Sequence, residues 1–269
     1  MPWFDIGVNL LDKRFEIADV IARASENSVN NICVISSDIK ESLQAQRLTQ
    51  SHNQQAGYQQ LVYTAGVHPH YADNFSADVL TQLNLLLTDT NMVAIGECGL
   101  DFNRNFSTKK NQLHAFEAQL AFAAEHNKPI YLHERDAFET QIALLKDYLP
   151  SIPNAIVHCF TGTRAQLEAY LALDCYIGVT GWICDDKRGG DLQEAVKHVP
   201  LGRLLLESDA PYLFPKTLRP RAKNNEPCFL PYVANKVSML KNIDLDILSQ
   251  ACLQNAFSVF GINSHDVKK

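Results

Sequence analysis

Eight short runs rich in β-branched residues alternate along the chain with longer segments of helical periodicity. This alternation is typical of parallel strands joined by crossover helices. The predicted strands are WFDIGVNL, NNICVISS, LVYTAGVHP, MVAIGECGLD, PIYLHER, NAIVHCF, CYIGVTG and RLLLESDAP. Because eight such units close into a barrel, the sequence predicts an α/β fold of the (β/α)8, or TIM-barrel, type.

The length of the chain fits one such barrel. It has 269 residues, of which 46% are hydrophobic, and barrels of this type commonly have about 250 residues in one domain. We therefore predict a single barrel domain over residues 1–262 and a short polar tail over residues 263–269. Helical periodicity also predicts helices from Gln112 to His126, from Phe229 to Leu240 and from Leu245 to Phe260.

Composition excludes several classes of protein. No run approaches the roughly 18 apolar residues of a membrane span, and the start, MPWFDIGVNL, lacks the features of a signal peptide. We expect a cytoplasmic monomer without membrane contact. The seven cysteines form no CxxC pair, unlike a disulfide framework or a zinc knuckle. The net charge of −6 argues against a broad basic surface that coats DNA, although carboxylates that bind cations can belong to a phosphate site.

Polar residues recur at the C-terminal ends of the predicted strands. In a (β/α)8 barrel these ends form one face, and the active site lies on that face. The residues concerned are Asp5, Asn9, His68, His70, Glu97, Asp101, His133, Glu134, Arg135, His158 and Asp209. The sequence therefore predicts an active site assembled from segments that are distant along the chain.

Four of these residues form the predicted metal site, namely Glu97, His133, His158 and Asp209. Each one alone equally fits a side chain satisfied near the rim of the core. Two imidazoles and two carboxylates at strand ends can together enclose a divalent cation, which lowers the pKa of a bound water towards about 7. We predict Glu97 and Asp209 as the catalytic residues, with Asp209 as the acceptor of the water proton. Glu207 is predicted to be a buried partner on the same strand face as Asp209.

Substrate contacts are predicted around this site. His68 is expected to donate to a phosphate oxygen, and Arg104 and Arg221 are expected to contact the substrate backbone. Arg221 belongs to the basic loop PYLFPKTLRPRAKNNEP that follows Asp209, for which a solvated loop is the default interpretation. Phe102 and Trp182 are candidates for stacking on a base.

Several longer segments run along nearly the whole chain: FDIGVNL, TAGVHPH, VAIGECGLDFNRNFST, HER, HCFTGT, YIGVTGW and ESDAPYL with the later NEP. Together they resemble the TatD family of deoxyribonucleases, and the FDIGVNL start and GWICDDKRG resemble the family's namesake more than its distant relatives. The resemblance implies a Mg²⁺-dependent 3′-to-5′ exonuclease of single-stranded DNA, with RNA as a second candidate substrate and a link to repair of oxidative damage. The family's metal-binding positions carry over to Glu97, His133, His158 and Asp209.

The chain departs from the wider superfamily pattern on its first strand. Many related barrels begin with Asp-x-His-x-His, whereas this chain has Asp5, Gly7 and Asn9 at those positions. Without the two histidines, we expect one firmly bound cation and a second that enters only with substrate phosphates. The resemblance implies Mg²⁺, and because imidazole ligands favour softer metals, Mn²⁺ and Zn²⁺ are the alternatives.

Two other functions are compatible with the same residues. The first is a metal-dependent hydrolase of esters or amides, such as an aminoacyl-tRNA deacylase, because a fold does not fix the substrate. The second is a non-catalytic nucleic-acid-binding protein on a barrel scaffold. The acidic balance and the strand-end carboxylates count against this second alternative.

Overall fold

The computed structural model describes residues 1–55 and 60–262. Within these residues, eight parallel strands form one sheet in which each strand pairs with the next in the chain. The strands are β1 (Trp3–Val8), β2 (Val29–Val34), β3 (Gln60–Ala65), β4 (Met92–Asp101), β5 (Ile130–Arg135), β6 (Ala155–Val157), β7 (Tyr176–Val179) and β8 (Leu204–Leu206). The predicted (β/α)8 TIM barrel is confirmed. The predicted polar tail lies outside the described residues.

The α-helices of the described residues lie between the strands and after β8. They are α1 (Ile17–Glu26), α2 (Ile39–Gln55), α3 (Ala77–Leu86), α4 (Lys109–Glu125), α5 (Phe138–Tyr148), α6 (Arg164–Ala172), α7 (Gly190–Ala195), α8 (Leu230–Lys241) and α9 (Leu245–Phe260). Helix α9 has the predicted bounds, and α8 is shifted by one residue. Helix α4 begins three residues earlier than predicted, because the Thr108 side chain caps it by accepting from the Asn111 amide. None of the described helices combines the length and apolar character needed to cross a bilayer.

The barrel closes between β1 and β8. Val8 forms a parallel bridge with Ala210, and the Asp209 amide donates to the Gly7 carbonyl at 2.9 Å. The same junction brings the Asn9 side-chain amide within 3.0 Å of Asp209 Oδ1, to which it donates. Residues from the two ends of the barrel sequence thus become neighbours at the C-terminal face.

The inside of the barrel is a packed core. Its buried side chains come from alternate positions of the strands and include Phe4, Ile6, Cys33, Val62, Ala94, Tyr131, Ile156 and Leu205. Phe257 and Phe260 of α9 pack against Phe4, with ring centroids 5.8 and 5.7 Å away. Phe4 lies near the start of β1, so α9 covers the N-terminal end of the barrel. The C-terminal ends of the strands are therefore the side that opens to solvent.

Asp5 of β1 is an ionisable group buried in this core. Its Oδ1 accepts from the amides of Ser208 at 2.9 Å and Gly7 at 3.3 Å. Its Oδ2 has no hydrogen-bond partner among the described residues. Burial raises the pKa of Asp5 from 3.8 to about 8. The folded protein therefore keeps a proton on Asp5 over a pH range in which the unfolded chain has released it.

This difference predicts a pH-dependent stability of the metal-free protein. Between about pH 4 and 8 the folded state binds one more proton at Asp5 than the unfolded state, so stability falls as the pH rises through this window. Asp5→Asn keeps an oxygen for the two amides and does not titrate. We expect the melting temperature of the wild type to fall relative to that of Asp5→Asn between pH 5 and 8, measured by circular dichroism. Parallel melting curves for the two proteins across this range would contradict the assignment.

Candidate metal centre

A cleft of about 1040 Å³ opens at the C-terminal face of the barrel. The residues that line it come from the ends of successive strands and include Asn9, His68, Glu97, His133, His158 and Asp209. Nine of the eleven polar residues predicted at strand ends therefore line one common space, whereas Asp5 and Asp101 are buried and are not among the lining residues. All four predicted metal ligands are among them.

Glu97 of β4 lies at the centre of this group and is buried. Its Oε1 is 2.7 Å from His133 Nδ1, 3.4 Å from His68 Nε2 and 3.9 Å from His158 Nε2. Burial opposes ionisation, but the histidines, His68 and His158 first, outweigh it and hold the pKa of Glu97 well below its ordinary value. A negatively charged oxygen is thus surrounded by three imidazoles.

His158 connects Glu97 to Asp209. His158 Nε2 lies 3.9 Å from Glu97 Oε1 and 3.9 Å from Asp209 Oδ1. These separations are too long for hydrogen bonds, but they match the roughly 3 to 4 Å between two ligands of one cation when each bond is about 2.1 Å. Asp209 has a left-handed backbone conformation with φ of 52°, which aspartate tolerates better than most residues. Glu97 and His158 therefore connect the four predicted ligands, with His133 beside Glu97 and Asp209 beside His158.

Among the described residues, two groups of side chains could hold a metal ion, and within each group the donor atoms lie within 4.8 Å of one another. The first consists of His68, Glu97 and His133, and the second of His158, Cys159 and Asp209. The four predicted ligands are thus divided equally between the two groups. Imidazole nitrogen and carboxylate oxygen are ordinary donors to divalent cations, so these residues fit such an ion. His68 was predicted as a phosphate contact, and the geometry adds it to the potential metal donors.

Sequence reasoning missed Cys159 as a potential donor. The sequence shows no CxxC pair, and Cys159 is not among the predicted site residues. It follows His158 directly and has a left-handed backbone with φ of 48°. Its Sγ lies 3.6 Å from Thr180 Oγ1. Its position at a strand end was the available signal, but nothing local indicates that its side chain turns towards the cleft.

The two predicted substrate contacts, Arg104 and Arg221, lie outside the set of residues that line the cleft. The Arg104 backbone amide donates to Asp101 Oδ1 at 2.7 Å, while its side chain is exposed. Arg221 is also exposed. Neither residue is among those that line the cleft within the described chain. A direct contact of either side chain with substrate therefore stays a prediction.

The rim of the cleft is held by ion pairs and aromatic contacts. Lys216 of the basic loop donates to Asp185 at 2.6 Å, which links the loops after β7 and β8. The two predicted stacking residues, Phe102 and Trp182, both line the cleft. A cation covers each ring at 4.4 Å, Lys109 in the first case and Arg188 in the second. One face of each ring is therefore already occupied.

Comparisons with a family model and with related sequences point to one family. The sequence model of a family described as TatD related DNase matches residues 4–261. A protein of Erwinia amylovora named 3′-5′ ssDNA/RNA exonuclease TatD is 47% identical over 263 residues, which covers 96% of this chain and 100% of the relative. A protein of Edwardsiella piscicida with the same name is 46% identical over 261 residues, covering 95% and 98%.

Solved structures show the same architecture. A TatD homologue from Escherichia coli K12 superimposes with a TM-score of 0.86 at 26% identity, covering 97% of this chain and 98% of the homologue. A hydrolase described as a TatD family protein from Entamoeba histolytica gives a TM-score of 0.88 at 24% identity, covering 98% and 99%. At 24% identity, the similarity to the Entamoeba histolytica protein shows a shared fold only.

Proposed function

Because this chain belongs to the TatD related DNase family, we propose that it is a metal-dependent 3′-to-5′ exonuclease of single-stranded DNA, with RNA as a second substrate. The observation that carries the proposal is the buried Glu97 carboxylate in contact with three imidazoles at the base of an open cleft. The relatives named 3′-5′ ssDNA/RNA exonuclease TatD support the choice of bond and of substrate.

In the proposed mechanism, Glu97, His133, His158 and Asp209 would hold the cation. When bound, a divalent cation supplies a water molecule of lowered pKa and offsets the charge that builds on the phosphoryl oxygens. Asp209 accepts the proton of the attacking water. Without a cation, burial raises the pKa of Asp209 from 3.8 to about 7. A cation bound beside Asp209 would favour its ionised form, which is the form that can accept a proton. Asn9 donates to Asp209 Oδ1 and orients the carboxylate for this role.

We propose Mg²⁺ as the cation, with Mn²⁺ as the next choice and Zn²⁺ as the third. One ion would bind firmly and a second would enter only with the substrate phosphates, because Gly7 and Asn9 stand where related barrels carry histidines. A cytoplasmic location, a monomeric state and a role in DNA repair stay predictions from the sequence.

The proposed activity is tested with purified protein on single-stranded DNA that carries a 5′ label. We expect shortening from the 3′ end that requires Mg²⁺ or Mn²⁺ and stops with a chelator. A phosphorothioate at the 3′-terminal linkage is the matched control for direction, and it should delay the shortening. Aminoacyl-tRNA in a parallel reaction tests the first alternative.

Two results would overturn the proposal. Metal-dependent deacylation of aminoacyl-tRNA with intact DNA would favour the ester hydrolase. Metal-independent binding of DNA without cleavage would favour the non-catalytic binding protein.

A further inference from the structure

Beneath the candidate metal centre lies a fully buried carboxylate, Glu207, directly after β8. Its Oε2 lies 2.6 Å from His158 Nδ1 and accepts from the Tyr131 hydroxyl at 2.7 Å. Its Oε1 accepts from the Cys159 amide at 2.6 Å. Both oxygens of a group that would be costly to bury alone are therefore bonded to neighbours.

These contacts define which nitrogen of His158 carries a proton towards Glu207. The Tyr131 hydroxyl has one hydrogen, which it donates to Glu207 Oε2, so it cannot also donate to His158 Nδ1. His158 Nδ1 must then be the donor to the carboxylate. Nε2 is left on the opposite edge of the ring, where it faces Glu97 and Asp209. A carboxylate behind a histidine in this way fixes both the tautomer and the ring orientation of a metal ligand.

The same two side chains determine what β1 can contribute. A Cβ atom at Gly7 would overlap the Tyr131 hydroxyl and lie 2.5 Å from Glu207 Oε2. Neither neighbour is a flexible surface group, since both are fully buried and hydrogen-bonded. No side chain at position 7 can therefore coexist with the Tyr131–Glu207 pair in this arrangement.

We propose that Tyr131 and Glu207 are positioning residues of the metal centre, which orient His158 towards the cation and fill the space that a ligand from β1 would need. The inference rests on the metal site of the proposed function but not on the bond that is cleaved. It explains why the chain has a glycine on β1 facing its own active site.

Glu207→Gln is the sharpest variant, because it keeps the shape of the side chain and removes one acceptor. The Cys159 amide needs the remaining oxygen, so the new NH2 group faces His158 Nδ1. As a donor it takes the Nδ1 lone pair and moves the imidazole proton to Nε2, where the cation would bind. We expect the affinity for Mn²⁺, measured by calorimetry, to fall about 10- to 100-fold.

Tyr131→Phe is the milder variant. It keeps the ring in the core and removes the hydroxyl, while the His158–Glu207 contact stays. We expect a loss of Mn²⁺ affinity smaller than that of Glu207→Gln. Tyr63→Phe is the matched control, because Tyr63 is equally buried and its hydroxyl contacts Asp89 in the loop before β4, away from the cleft. It should bind Mn²⁺ as the wild type does.

A spectroscopic measurement separates positioning from general loosening. In long-range ¹H–¹⁵N spectra of ¹⁵N-histidine protein saturated with Zn²⁺, wild-type His158 should show a protonated Nδ1. In Glu207→Gln this Nδ1–H signal should be absent. A cooperative melting transition of the metal-free variant should show that it is folded. Mn²⁺ affinity equal to the wild type in both folded variants would overturn the inference. If the wild type binds Mn²⁺ but cuts another bond, the proposed function fails and the inference stands.

Discussion

Replacing Glu97 by glutamine is expected to reduce hydrolysis of single-stranded DNA by at least about 10³-fold, more than the 10- to 100-fold cost of losing an outer partner of a ligand. Glu97 Oε1 lies within 4 Å of a ring nitrogen of each of His68, His133 and His158. A neutral amide there removes the negative charge and directs hydrogens towards imidazole nitrogens that should face a cation.

The measurement is kcat/KM on a 5′-labelled oligonucleotide at saturating Mg²⁺. Glu117→Gln is the matched control, because Glu117 lies exposed on the outer helix α4, and it should keep wild-type activity. Circular dichroism checks that both variants fold. Activity of Glu97→Gln within threefold of the wild type would contradict the role given to this residue.

Asp209→Asn is expected to lower kcat by about 10² to 10⁴, the range typical of a lost general base. An amide cannot accept the proton of the attacking water. The other three proposed ligands, Glu97, His133 and His158, stay in place, so Mn²⁺ affinity should fall less than kcat.

Single-turnover cleavage and Mn²⁺ calorimetry on the same preparation compare the two effects. Asp186→Asn is the control, because Asp186 is exposed and pairs with Lys236 away from the donor groups. Equal losses in affinity and in turnover would show Asp209 to be a ligand only, and the proton would need another acceptor.

Much of the barrel architecture could be predicted from local patterns of apolar and polar residues. The strands are short and largely apolar, with polar residues at or just after the ends of several of them. In a (β/α)8 barrel all of these ends lie on one face. This is why Glu97, His133, His158 and Asp209 could be predicted as a group although up to 112 residues separate the first from the last. Their convergence depends on backbone topology, which the alternation of strands and helices determines.

Side-chain direction and long-range packing could not be predicted in this way. Arg104 belongs to a motif near the cleft, but its amide is bound to Asp101 and its side chain is exposed. The overlap between position 7 and the Tyr131–Glu207 pair depends on contacts between β1, β5 and the end of β8 across the barrel interior. No local pattern carries that information. From the sequence, Gly7 could be recognised only as a position where related barrels have a histidine.

The proposed chemistry requires that Glu97, His133, His158 and Asp209 hold one divalent cation. The most direct test is an anomalous difference map from crystals grown with MnCl2, recorded at the manganese absorption edge. We expect a strong peak within about 2.5 Å of Glu97 Oε1 and His158 Nε2. Catalytically active crystals with no peak there, or with manganese bound only at surface carboxylates, would contradict it.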